Sequence, residues 1–147
     1  MKYLTKNVCI LLLTISSVFV SCSNKDDGYG APANPEPTEA NSNTYSVVNS
    51  GATAYVFNGE GLTNASNPDF TLKRGSTYTF NVEVPAHPFL IKSVEGTTTA
   101  NQYDSGVSNN GAVTGTITFT VPSDAPNTLY YNCEFHGSMT GTLSIVD

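Results

Sequence analysis

A two-residue alternation of apolar and polar side chains recurs along the second half of the chain and limits what it can fold into. In STYTFNVEV (residues 76–84), Tyr78, Phe80 and Val82 fall on one side, and Thr77, Thr79, Asn81 and Glu83 on the other. GTITFTV (115–121) opposes Ile117, Phe119 and Val121 to Thr116, Thr118 and Thr120, and Leu143 and Ile145 alternate with Thr142 and Ser144. Successive side chains of a strand point to opposite faces, so this period describes strands with one buried face. YSVV, TAYVF, HPFLIKS and TLYYNC are further strand-like runs, separated by turn signals such as NGEG, KRG and SNNG. No stretch carries a helical period. Seven to eight short strands in about a hundred residues predict an all-β fold, a Greek-key antiparallel β-sandwich spanning residues 44–147.

The beginning of the chain reads as an address. Lys2 and Lys6 precede a short apolar run from Val8 to Val20, which ends at Ser21-Cys22. The run is too short for a comfortable transmembrane helix. It resembles a bacterial lipoprotein signal, which implies a signal peptide over 1–21, cleavage before Cys22 and lipidation of the Cys22 sulfur. A plain secretory signal with an incidental cysteine is the alternative. Residues 22–43 contain almost no large apolar side chain and cannot offset the entropy of ordering, so they read as a flexible tether. Asp26-Asp27 resembles the acidic export tag of Bacteroidetes-type surface lipoproteins, interrupted here by Lys25. The expected location is the cell envelope, with the chain held to a membrane through the lipid at Cys22.

Cysteine arithmetic then isolates one residue. Of the 3 Cys, Cys9 leaves with the signal and Cys22 carries lipid, so Cys133 is the only free thiol expected in the mature chain. Outside the cytoplasm such a thiol is open to oxidation and has no intramolecular disulfide partner. Metal ligation gives it a purpose, because coordination protects a thiolate and holds it ionised.

YYNCEFHGSM (130–139) places Cys133, His136 and Met139 within seven positions, in a chain with only 2 His and 2 Met. A hairpin here would aim three side chains at one point, with Gly137 easing the reversal. The remaining histidine, His87, opens HPFLIKS. Thiolate, thioether and imidazole are soft to borderline donors that suit copper, and zinc seldom uses Met. An inert core thiol, a nucleophilic Cys–His pair and a zinc site are the other readings of the same residues.

An early His followed by Y-x-C-x-x-H-x-x-M-x-G near the end of the chain resembles the cupredoxin (blue copper) family. The three-residue step from His136 to Met139 is similar to the short ligand loop of amicyanin. NPDFTLKRGSTYTF and VPSDAPNTLYYNC also look like plastocyanin-type strands, and the resemblance covers roughly residues 44–147. It implies one copper ion held by His87, Cys133, His136 and Met139, and single-electron transfer rather than catalysis. Two departures stand out. Many family members place after the first His a residue whose N–H bonds to the Cys sulfur, whereas Pro88 has no N–H. Asn132 stands where plastocyanin carries a Tyr serving a remote electron path, so transfer through His136 is expected instead.

The formal net charge of −6 and the lack of a basic stripe argue against nucleic acid as a partner. A redox partner protein is expected, and a basic surface on it would complement that charge. Copper delivery, a small copper enzyme with an open coordination position, and a displayed adhesive sandwich are the alternatives. A copper-loading Met-rich or His-rich tract would favour the first, and the tether has none.

Overall fold

A computed structural model describes residues 42–147. The expected signal peptide, Cys22 and the expected tether up to residue 41 lie outside the described residues. No helix occurs among the described residues. Ten strands do: β1 (Thr44–Ser50), β2 (Ala54–Gly59), β3 (Leu62–Ser66), β4 (Phe70–Lys73), β5 (Thr77–Glu83), β6 (Phe89–Lys92), β7 (Val107–Ser108), β8 (Thr114–Thr120), β9 (Thr128–Cys133) and β10 (Thr140–Val146). They form a six-stranded sheet in the order β3-β2-β1-β5-β8-β7 and a four-stranded sheet in the order β4-β10-β9-β6.

This is the expected all-β sandwich, with two differences. All seven quoted runs are strands, but β3, β4 and β7 bring the count to ten. Each of the three is a short strand at a sheet edge; β3 and β7 hold no fully buried residue, while in β4 buried Phe70 and Leu72 alternate with exposed Thr71 and Lys73 over only four residues. The sheets are also mixed rather than antiparallel, because β1 runs parallel to β5 and β4 parallel to β10. Alternation assigns faces to a strand and carries no information on its direction.

The predicted inner faces meet as predicted. Tyr78, Phe80, Val82, Ile117, Phe119, Leu143 and Ile145 are all buried in one core with residues from both sheets. Aromatic contacts join the layers: Phe57 of β2 lies 5.1 Å from Phe70 and 5.2 Å from Tyr131, between ring centroids. Phe89 stacks on Tyr131 at 5.3 Å. Such pairs add about 0.5–1.5 kcal/mol each beyond area burial, and they hold the layers in one relative position.

Strand β6 departs from simple alternation, since all four of its residues are buried. Phe89 and Ile91 enter the core, while Leu90 and Lys92 are covered by the segment that follows the strand. The Lys92 ammonium donates to the carbonyls of Gly96, Thr97 and Thr98. The side chain of Asn110 serves the backbone of Ile91 in both directions, accepting its N–H at 2.8 Å and donating to its carbonyl at 3.1 Å. An edge strand that would otherwise present free peptide groups is thereby closed.

Candidate metal centre

Cys133 is the last residue of β9, where Leu129, Tyr131 and Cys133 alternate into the core. Its partner across the ladder is Phe89, the first residue of β6. His87 stands two positions earlier, in the connection from β5 rather than on the strand itself. That connection turns at Ala86, whose φ of 65° costs a non-glycine residue roughly 1 kcal/mol, and the His87 N–H closes the turn on the Val84 carbonyl at 2.9 Å. After Cys133 the chain reverses within six residues. The Cys133 N–H donates to the Met139 carbonyl at 2.9 Å, and the Met139 N–H to the His136 carbonyl at 3.1 Å. The reversal does not use a left-handed glycine, since Gly137 is not among the residues of positive φ.

These backbones bring three donor atoms together. The Cys133 Sγ lies 3.7 Å from His87 Nδ1 and 3.6 Å from His136 Nδ1, and the two nitrogens are 3.1 Å apart. A triangle with these sides has its centre about 2.0 Å from each corner, the length of a metal–nitrogen bond and slightly under a metal–thiolate bond. The spacing of the donors therefore fits a single transition-metal ion. This is the only such cluster among the described residues. Met139, just ahead of β10, is fully buried.

Burial and charge prepare the donors for ligation. Cys133 is buried and is the free cysteine of the described residues. Desolvation, and after it the nearby His136, holds the His87 pKa below its ordinary value, which favours the neutral imidazole that binds metals. His87 and Cys133 are enclosed while His136 is partly exposed, so the centre reaches the surface through one ring. Beside it Phe135 is 59% exposed. Phe89, two residues after His87, belongs to the core.

Both ligand loops are clasped by residues that sequence reasoning missed. The Tyr55 hydroxyl donates to the carbonyls of His87 and Pro88, each at 2.9 Å. Asn67, with φ of 46°, accepts the Tyr55 N–H on Oδ1 at 2.9 Å and donates from Nδ2 to the Ser138 carbonyl at 2.8 Å. Ser138 donates to the Ala52 carbonyl. On the opposite side, the Thr98 N–H donates to the Glu134 carbonyl at 2.7 Å and the Gly96 N–H to Asn132 Oδ1 at 3.1 Å. Asn132 is thus a buried anchor for the segment over β6, and its Nδ2 has no protein partner. None of these partners carries a local signal, because each meets the loops from a distant part of the chain.

No protein-family profile matches the chain, and no curated protein matches it. Among solved structures it is similar to rusticyanin from Thiobacillus ferrooxidans, at 20% identity over 70% of this chain and 76% of that one, with a TM-score of 0.46. It is also similar to a purple cupredoxin from Nitrosopumilus maritimus, at 14% identity over 70% of this chain and 98% of that one, with a TM-score of 0.44.

Proposed function

We propose that residues 44–147 form a cupredoxin domain that binds one copper ion through His87, Cys133, His136 and Met139 and carries single electrons. The observation that carries this reading is the Cys133–His87–His136 triangle, whose centre is about one metal–ligand bond length from all three donor atoms. Two imidazoles and a thiolate, with the Met139 thioether as a further soft donor nearby in the chain, would suit copper better than zinc. Bound copper supplies one-electron chemistry by cycling between Cu(II) and Cu(I). The chain's own contribution is rigidity. Ligand loops tied back by backbone bonds and packed on the aromatic core keep the same donor positions in both states, which limits reorganisation. The partly exposed His136 ring is the route by which an electron reaches a docked partner protein.

In this role the domain is an electron carrier, not a catalyst. The lipid at Cys22 would hold it at the cell envelope, and tethering would raise its local concentration near a redox partner. Labelled fatty acid incorporated into the wild-type chain, but not into Cys22→Ala, is the expected result for the anchor.

The copper reading is tested by titrating the purified, metal-free full chain with Cu(II) while recording the visible and EPR spectra. An intense thiolate-to-copper band that saturates at one equivalent and vanishes in Cys133→Ser is expected. A colourless product with ordinary tetragonal Cu(II) signals would refute it.

A further inference from the structure

We infer that Tyr55 and Asn67 form a brace that presets the spacing between the two ligand-bearing loops, with Tyr55 as a positioning residue for His87. The inference rests on the metal-binding reading of the Cys133–His87–His136 cluster and adds to it the device that holds the donors in place before any ion arrives.

The His87 loop needs such a device. It lies outside the β-ladder, and Pro88 offers no N–H with which to anchor it. Its own backbone bonds are one turn, from the His87 N–H to the Val84 carbonyl at 2.9 Å, and a long contact of 3.4 Å from the Glu134 N–H to the Pro88 carbonyl. A hydroxyl has a single proton. The Tyr55 proton is shared by two successive carbonyls at 2.9 Å each, so one phenol holds the peptides on both sides of Pro88.

Tyr55 is itself immobile. The residue is fully buried, and its ring meets Phe89 edge-on at 5.1 Å and Tyr131 at 6.1 Å. Its backbone N–H is held by Asn67 Oδ1 at 2.9 Å, and the Asn67 amide reaches the Ser138 carbonyl at 2.8 Å, next to Met139. A continuous link therefore runs from the His87 carbonyl through the Tyr55 side chain and backbone to Asn67 and the 136–139 loop. It spans the gap across which His87 Nδ1 and His136 Nδ1 stand 3.1 Å apart. Removing either end lets the loops separate while the strands stay paired.

Two variants of the full chain, Tyr55→Phe and Asn67→Gly, test the brace. Glycine keeps the positive φ available at position 67, so only the amide is lost. Tyr131→Phe is the control, because it also deletes a buried hydroxyl from the aromatic cluster, one bonded at 2.9 Å to the Pro68 carbonyl, away from His87. In the metal-free proteins, solvent exchange of the His87 amide should quicken at least about fivefold in Tyr55→Phe and Asn67→Gly and stay at the wild-type rate in Tyr131→Phe. Apparent Cu(II) affinity should fall about three- to tenfold in the two brace variants, in proportion to the lost population of ligating conformers. Their EPR spectra should broaden or become more rhombic, and those of Tyr131→Phe should not change. Exchange rates equal to those of Tyr131→Phe would overturn the brace, whatever metal the chain binds. Unchanged affinity and spectrum in copper-loaded Tyr55→Phe would overturn it as well. Failure of the copper reading shows itself separately, as a wild-type chain without a thiolate band, and the metal-free exchange rates then still decide the brace.

Discussion

Substituting Gly141 by alanine tests how the core supports β9 and its terminal Cys133. A Cβ placed at Gly141 would lie 2.6 Å from both Cε1 and Cζ of Tyr131, where carbon contacts are normally about 3.5–4.0 Å. Neither side can yield cheaply. Gly141 and Tyr131 are ladder partners between β10 and β9, so moving the glycine breaks the register. The Tyr131 ring is stacked on Phe89 at 5.3 Å, and its hydroxyl donates to the Pro68 carbonyl at 2.9 Å. Overpacking of this kind costs about 1–3 kcal/mol, and loss of the phenol's hydrogen bond about 1 more, for a total of roughly 2–4 kcal/mol. Equilibrium urea unfolding of the metal-free protein reads this as a midpoint lowered by roughly 1–3 M, at the slope usual for small domains. In a Tyr131→Ala background the new methyl meets open space, so Gly141→Ala should then cost under about 1 kcal/mol, and the two changes should be strongly non-additive. A midpoint unchanged in the single variant, or full additivity in the pair, would refute the claim that Gly141 is bare to admit the Tyr131 ring.

Three further outcomes follow from the same structure. Lys92→Met keeps the length of a buried side chain but leaves the Gly96, Thr97 and Thr98 carbonyls without their ammonium donor. A loss of about 2–4 kcal/mol is expected in unfolding experiments, with faster hydrogen exchange at Thr98, whose N–H ties this segment to Glu134. Met139→Leu is a volume-conserving change at a buried site and should cost under about 1.5 kcal/mol. With the Met139 thioether lost as a donor, potentiometry on the loaded variant should give a higher reduction potential; an unchanged value would remove Met139 from the ligand set. Pro88→Asn restores an N–H beside the site, where a hydrogen bond to the thiolate would stabilise the more electron-rich reduced centre. A raised potential is expected, and an equal or lower one would dismiss the role assigned to the missing N–H.

The faces of the sandwich were legible because burial on a strand has a fixed period. Tyr78, Phe80, Val82, Ile117, Phe119, Leu143 and Ile145 all point where alternation put them. The four-residue strand β6 was harder, since Leu90 and Lys92 are buried by the irregular segment that follows the strand rather than by the opposite sheet. Gly137 does not ease the reversal through a left-handed φ. The loop turns on backbone bonds between Cys133, His136 and Met139, and the glycine that matters is Gly141, for reasons of space. The clustering of His87, Cys133 and His136 was legible from scarcity: with 2 His and few Cys, few combinations exist.

By itself the sequence determined most of the strands, their apolar faces and which rare side chains can bind a soft metal. These are properties of residue type and local period. Only the tertiary structure decided that β1 lies parallel to β5 and β4 parallel to β10, because strand direction depends on partners far away in the chain. Only it brought His87 across 46 positions to within 3.7 Å of the Cys133 sulfur, and placed the Tyr55 hydroxyl on the loop that carries that histidine. The spacing of donor atoms is set by packing between distant segments, and no local pattern encodes a distance between residues that meet only when the sheets close.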